Sequence, residues 1–313
     1  VLTVFSIPKP FVGHIGVIQR NALGSWLRLG EGVQVILHGN DEGVAEAARE
    51  AGAEHAPDIK RNEYGTPLLN SAFSMAARMA RNPLLCYVNG DIMVTNELLR
   101  AATSIGKRKF LMAGRRWNVD VTEPWDFSDP QWPKKLVAFA HDRGELYPDK
   151  WIDYFVFPRD SKLTRLPPFA VGRLRWDNYI LFRCRQLGYP LIDATTVVTA
   201  VHQNHDYAHV PTWDPAIFGS GANQRILKGT DFGPEAEANI KLLGDELRLF
   251  GLIDATHKLT EFGLEKTEIP HWRHQQEYLA LHPMREKAKK WLTQVGLLGV
   301  SRRVKRVLKV LGN

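Results

Sequence analysis

"LLCYVNGDIMVTNELL", residues 84–99, decides how the chain is read. Leu84 to Val88 is a short run of apolar, aromatic and β-branched residues, the composition of a core strand. It breaks at Asn89-Gly90-Asp91 and resumes as Ile92-Met93-Val94. An acid at the carboxyl end of a buried strand lies where open α/β sheets bind their ligands. Alternation along a strand puts Asn89 and Asp91 on one side, so two oxygen-bearing side chains converge on one point. Such a pair suits a hard divalent cation shared with phosphates. The competing reading is local: Asp91 caps the helix that starts near Thr95.

Around this stretch strands and helices alternate. Strands are expected over Leu2–Ile7, Val33–Leu37, Phe110–Ala113 and Tyr154–Phe157, and helices over Ile15–Leu29, Glu42–Ala51, Asn70–Arg81 and Asn178–Leu187. Gly52 and Gly188 stop two of these helices. The alternation implies an α/β fold with a mostly parallel sheet covered by helices. After Gly229 the sequence turns helical and charged, so residues 1–229 are expected to form the main domain and 230–313 a helical C-terminal appendage. No internal repeat or low-complexity segment is visible.

At 313 residues and 44% hydrophobic, the chain can bury a sizeable core. Its two cysteines, Cys86 and Cys184, lie in apolar runs, which argues against a disulfide scaffold and favours a reducing, cytoplasmic compartment. Val1-Leu2-Thr3-Val4-Phe5 is too short and lacks the basic start of a signal peptide, so none is expected. No apolar stretch approaches the ~20 residues that span a bilayer. The net charge of +7 is unevenly spread. From Arg285 to Asn313 there are nine Lys or Arg and one Glu, which leaves the body near neutrality and gives no sign of a nucleic-acid groove.

Several phosphate-binding signatures are absent. There is no GxxxxGK[ST] loop, and the first strand leads into Ser6-Ile7-Pro8-Lys9-Pro10 rather than GxGxxG. The glycine-rich, arginine-containing loop of sugar-phosphate nucleotidyltransferases is missing too. A β/α unit without a glycine cradle, but with an acid at a strand end, suggests phosphates held through a metal.

Taken in order, the first strand ending in Ser6-Ile7-Pro8, the second ending in Gly39-Asn40-Asp41, the turn Tyr64-Gly65-Thr66-Pro67 and the segment Asn89-Gly90-Asp91 resemble a GT-A-fold glycosyltransferase of the nucleotide-diphospho-sugar transferase superfamily. The resemblance covers roughly residues 1–210 and implies a Rossmann-like sheet. It implies a nucleotide-diphosphate-sugar donor, a hydroxyl acceptor and a divalent cation, Mn²⁺ or Mg²⁺. By it, Ser6, Ile7, Pro8, Gly65, Thr66, Asn89 and Gly90 are donor-side candidates, Asp41 a base or ribose contact, and Asp91 the metal ligand. Asn89 stands where the family's D-x-D segment has its first acid, and an amide is a weaker ligand for a hard cation.

Four further stretches bear on the chemistry. In "PPFAVGRLRWDNYILFRCRQLGYPLIDAT", residues 167–195, a loop delivers Trp176-Asp177-Asn178 to a helix start. Asp177 either caps that helix or, by the resemblance, faces the acceptor and takes its hydroxyl proton. Trp176 and Asn178 are then acceptor-side candidates, Trp176 by stacking on a sugar ring, although a Trp is more often core. In "VVTAVHQNHDYAH", residues 197–209, His202, His205 and His209 follow a strand-like run from Thr195. A helical segment would make them a zinc set; the resemblance instead offers His202 or His205 as a metal or diphosphate ligand. Arg115 and Arg116 follow a strand and are candidates for contact with diphosphate or an anionic acceptor, Arg115 on the donor side, while surface solvation competes for at least one of the pair. Asp153 and Tyr154 open another strand where acceptor pockets lie in this architecture.

The expected activity is therefore sugar transfer from a nucleotide-diphosphate donor to a hydroxyl acceptor in glycan or glycolipid assembly, with inversion favoured by the visible base candidate. A retaining transferase on the same fold, with Asp177 in a positioning role, and a noncatalytic nucleotide-sugar-binding or membrane-associated protein are the alternatives. From Trp291 to Leu311 apolar residues at three- and four-residue spacing face a basic side, the pattern of a helix lying on an anionic membrane surface. This expectation predicts that the full chain sediments with anionic vesicles. Five Lys or Arg between Arg302 and Lys309 should each contribute about 1 kcal/mol near the surface, and salt should release the protein. Failure to sediment even at low salt would assign the tail to packing or to a protein partner.

Overall fold

The computed structural model describes residues 1–173, 175–205, 234–243 and 251–267. The basic tail and His209 lie outside them.

The chain begins with β1 (Leu2–Ser6), α1 (Gly13–Trp26), β2 (Gln34–His38), α2 (Val44–Ala51) and β3 (Glu54–Ala56). It continues through α3 (Leu69–Met79), β4 (Leu84–Val88), β5 (Ile92–Val94), α4 (Glu97–Ser104), β6 (Leu111–Ala113), β7 (Arg116–Val119) and α5 (Trp132–Arg143). Then come β8 (Glu145–Leu146), β9 (Tyr154–Pro158), α6 (Trp176–Gln186), β10 (Leu191–Asp193) and β11 (Ala200–Gln203). The last described elements are α7 (Pro234–Leu243), β12 (His257–Thr260) and β13 (Gly263–Lys266).

A nine-stranded sheet has the order β13-β12-β10-β6-β9-β4-β1-β2-β3. It is mostly parallel, as the alternation predicts, with β9 inserted antiparallel between β4 and β6 and β13 antiparallel at the edge. β4 is sandwiched: Leu85 and Tyr87 enter one core with α3 and α6, while Cys86 and Val88 enter the opposite core with α1, α2 and α4. Burial on both faces explains why the strand reads as a continuous apolar run.

β5, β11, β7 and β8 form a second, four-stranded sheet at the carboxyl edge of the first. α5 covers it through Trp132, Leu136 and Ala140 against Met93, Val119 and Val201. The aromatic-rich stretch that carries Trp117, Trp125, Phe127 and Trp132 therefore builds a satellite core, with Trp125 and Phe127 packed at its border. The register of this sheet positions a candidate ligand, because β11 pairs antiparallel with β5 and sets His202 opposite Ile92.

Two expectations are corrected. Residues 251–267, assigned to a separate helical appendage, instead extend the main sheet: β12 runs parallel to β10, and Leu252, Ala255 and Leu259 are buried in its two cores. α7 is also tied to the body, with Asn239 bonded to both the N–H and the C=O of Ala170. Tyr154, expected at the acceptor pocket, is fully buried with Val156 in the core behind the sheet, because alternation along β9 turns it to that face.

The Tyr154 hydroxyl has no hydrogen-bond partner among the described residues, and a Cβ on Gly114 would collide with it. Gly114→Ala is therefore expected to cost about 1–3 kcal/mol. Tyr154→Phe, which removes an unpaired hydroxyl, should be close to neutral or stabilising. Chemical unfolding should show a smaller penalty for Gly114→Ala when Tyr154→Phe is already present. Strict additivity of the two substitutions would contradict the close approach.

Candidate functional site

A cleft of about 670 Å³ opens at the carboxyl ends of β1 and β4. One wall is the loop after β1, where Ile7, Pro8, Lys9 and Pro10 reach the cavity. Gln19 of α1 fixes this loop: its side chain accepts from the Lys9 N–H at 2.7 Å and donates to the Lys9 carbonyl at 2.8 Å. Gly90 is required by the same contact, since a Cβ there would lie 2.9 Å from Gln19 Oε1. Nothing in the sequence around Gln19 signals this role, which depends on how α1 packs beneath the loop.

Asn89, Gly90 and Asp91 form a turn closed by the Ile92 N–H on the Asn89 carbonyl at 3.2 Å. Asp91 does not cap the next helix. Thr95 serves that end, accepting from the Glu97 N–H through its side chain and from the Leu98 N–H through its carbonyl. Asp91 instead faces two histidines. Its Oδ2 lies 3.0 Å from His205 Nε2 and 3.6 Å from His202 Nε2. The register of β11 delivers His202, and the Gln203 N–H bonds the Asp91 carbonyl at 3.2 Å. His202 sits on a strand, so the helical zinc arrangement does not form.

Asn89 is engaged differently from Asp91. Its Nδ2 donates to Asp153 Oδ1 at 2.6 Å, and its backbone N–H donates to the Asp153 carbonyl at 2.9 Å. The other Asp153 oxygen accepts from Arg116 Nη1 at 2.5 Å. The Arg116 guanidinium also lies over the Tyr147 and Trp151 rings, with its central carbon 5.4 and 5.3 Å from their centroids. It is the arginine of the pair that enters the cleft. Arg115, the other candidate of the pair, donates instead to the Leu146 and Tyr147 carbonyls and ties β7 to the chain after β8. Arg116 is buried and Arg115 half-buried, so neither is a fully solvated surface residue.

Across the cleft, Asp177 lies in the first turn of α6 and accepts from the Asn178 N–H at 2.8 Å. It is one residue inside the helix, while the N-cap position belongs to Arg175. Trp176 reaches the cavity, but most of it is core, packed edge-on against Tyr87 and Phe155. Asn178 is buried behind the wall, with its amide directed to the Lys150 carbonyl. Asp41 lines the opposite end and pairs with Arg61 at 2.7 Å.

Three donor-side candidates, Ser6, Gly65 and Thr66, are not among the residues that line the cleft. The buried Ser6 hydroxyl donates to the Val88 carbonyl and joins β1 to β4. In the 64–67 turn, Tyr64 and Pro67 reach the cleft. Gly65 supplies a positive φ of 82° and accepts from Arg61, and the Thr66 N–H bonds Asn62.

The acids of the cleft have diverging proton affinities. Burial pushes the Asp91 carboxyl up, but His202, His205 and Arg116 outweigh it and hold the group well below the usual carboxylate range. Burial and the Arg116 charge push His202 down to about 3, so its imidazole is neutral. Asp153 is raised, because burial exceeds the pull of Arg116. Burial and the Asp153 charge raise Asp177 to about 7, against the lowering effect of the Asn178 N–H.

Asp91, His202 and His205 are a group whose ligand atoms all lie within 4.8 Å of one another. Asp91 Oδ1 and His202 Nδ1 are buried without hydrogen-bond partners among the described residues. Among those residues, no helix is long and apolar enough to cross a membrane.

No protein-family model matches the chain, and no curated protein matches it. Among solved structures it is similar to glucosyl-3-phosphoglycerate synthase from Mycobacterium tuberculosis in complex with Mg²⁺ and uridine diphosphate. The identity is 13%, over 67% of this chain and 73% of that one, with a TM-score of 0.42. It is also similar to a mannosyltransferase from Pyrobaculum calidifontis in complex with GDP-Man and Mn²⁺, at 13% identity over 99% of this chain and 83% of that one, with a TM-score of 0.41.

The raised Asp177 group has a signature in stability. Between the ordinary carboxylate range and about 7, the folded protein holds a proton that the unfolded chain has lost, so stability falls as pH rises through that window. The steepest slope from this one group is about 1.4 kcal/mol per pH unit. Asp177→Asn keeps an oxygen for the Asn178 N–H and removes the titration. Urea unfolding from pH 4 to 8 should show the variant matching the wild type at the acid end and exceeding it at pH 8. Parallel curves would contradict the raised affinity.

Proposed function

We propose that the chain is a glycosyltransferase of GT-A architecture, moving a sugar from a nucleotide-diphosphate-sugar donor to a hydroxyl acceptor with inversion of the anomeric centre. The observation that carries this reading is the pairing, in one cleft, of a proton-accepting carboxyl at Asp177 with the Asp91, His202 and His205 set. That set fits a divalent cation: Asp91 is ionised, His202 is neutral, and Asp91 Oδ1 has no hydrogen-bond partner among the described residues. When bound, such a cation supplies positive charge toward the diphosphate of the donor.

The chain's own groups then have distinct tasks. Asp177 takes the proton of the acceptor hydroxyl while that oxygen attacks the anomeric carbon, and the nucleoside diphosphate departs with the bonding electrons. A carboxyl whose proton affinity is raised toward neutrality suits this task better than an ordinary one. The loop held by Gln19, with Asp41 at its far end, offers a wall for the nucleoside. Asp153, pinned by Arg116 and Asn89, keeps the 89–91 turn in place. Acceptors from glycan or glycolipid assembly, handled at the inner surface of a membrane, agree with the basic tail.

A panel of nucleotide sugars, followed by nucleoside diphosphate release with and without Mn²⁺ or Mg²⁺, tests the proposal. Asp91→Ala should remove most donor binding by calorimetry in the presence of metal while leaving the fold intact. Asp177→Asn should lower turnover by roughly 10²-fold or more. Release from no donor under any metal would overturn the assignment, and a product with retained configuration would remove Asp177 as the base of a single displacement.

A further inference from the structure

The cations of the cleft are mostly spoken for. Arg116 is paired with Asp153 at 2.5 Å, Arg173 with Glu235 at 2.6 Å, and Arg61, at the rim, with Asp41 at 2.7 Å. Arg175 also lines the cleft and is partly buried, but among the described residues its guanidinium makes no hydrogen bond or ion pair. Its backbone is unusual as well. With φ 74° and ψ 2° it is the one non-glycine residue with positive φ among those described, a conformation that L side chains rarely adopt. Non-glycine residues held in this region cluster at ligand sites, where the strain serves a position. Here the position is the residue before α6, two places from Asp177, at the positive end of an eleven-residue helix.

Arg175 carries a partly buried guanidinium with no hydrogen-bond or ion-pair partner among the described residues, and its five donors in a rigid fork match the oxygens of a phosphate or carboxylate. We propose that Arg175 is a specificity residue that binds an anionic group, phosphate or carboxylate, carried by the acceptor near its reacting hydroxyl. The inference rests on the glycosyltransferase reading for the word acceptor, but the anion site stands or falls by binding alone. Burial lowers the Arg175 proton affinity while the Asp177 charge opposes the shift, in keeping with a cation set into the wall beside that acid.

Calorimetry on the full chain compares glycerol, glycerol 3-phosphate and lysophosphatidic acid in the wild type and in Arg175→Gly. The phosphate-bearing probes should bind and glycerol should not. The tighter of the soluble and lipid-borne phosphates identifies the source of the anion. Arg175→Gly should weaken that probe at least tenfold while binding a nucleoside diphosphate with Mn²⁺ within about twofold of the wild type. Glycine adopts this backbone freely, so the variant's unfolding temperature should equal or exceed that of the wild type, which separates lost binding from lost folding. Equal binding of glycerol and glycerol 3-phosphate would overturn the proposal. So would an equal loss of nucleoside diphosphate binding, which would place Arg175 on the donor. Failure of the wild type to bind any nucleoside diphosphate would instead count against the donor reading and leave the anion result intact.

Discussion

The bidentate hold of Asp153 on Asn89 and Arg116 is the constraint on which the rest of the site depends. Its backbone carbonyl and one carboxylate oxygen receive the two Asn89 donors, and its other oxygen receives Arg116. These bonds extend the β4–β9 ladder by one step beyond the last strand pair, Val88 with Tyr154. They also connect the main sheet to β7, which carries Arg116 in the smaller sheet. The start of the 89–91 turn is thereby tied to β9 and, through Arg116, to β7. A buried ion pair of this kind contributes little net stability, but removing one partner leaves an uncompensated charge, at a cost of about 3–5 kcal/mol. Its effect is to specify geometry.

That geometry accounts for Asn89 standing where an acid is expected. A carboxylate at position 89 could not donate to Asp153 and would add a second negative charge against it. The amide satisfies Asp153 and leaves the negative charge of the turn to Asp91. β11 and the residues just after it set two imidazoles beside Asp91, a group of side chains that could hold a metal ion. Such a set is less oxygen-rich than a pair of carboxylates, and imidazole favours later divalent metals over Mg²⁺.

The parts of this arrangement visible in the sequence are those with a local signal. The apolar run ending in Asn89-Gly90-Asp91, the glycine-closed helices and the cluster of His202 and His205 follow from composition and periodicity. The mostly parallel sheet follows from alternation. What the sequence conceals depends on register and on long-range pairing. Arg115 and Arg116 are indistinguishable as neighbours, and only the pairing of β7 with β11 and β8 decides which one turns to the cleft. Tyr154 comes directly after Asp153, but a period of two sends it to the opposite face. Gln19 acts through a loop ten residues earlier, and Glu235 acts on Asn62 and Arg173 from beyond the expected domain boundary.

The opposite fates of Asp91 and Asp177 show how one cleft can hold two acids in different protonation states. Asp91 is surrounded by His202, His205 and Arg116, so its burial is more than offset and the carboxylate stays charged. Asp177 has burial and the negative charge of Asp153 against it, and chiefly the Asn178 N–H on its side. Arg116, which aids Asp91, is committed to Asp153 and reaches Asp177 only as a minor stabilising charge. The same ion pair that fixes the turn therefore also divides the electrostatics of the cleft. One end favours a permanent anion that attracts a cation, and the other favours a carboxyl that exchanges a proton near neutral pH. Environments that push two acids apart in this way are a recurrent basis for assigning their roles. In this fold the division follows from where β9 inserts, because that insertion brings Asp153 between them.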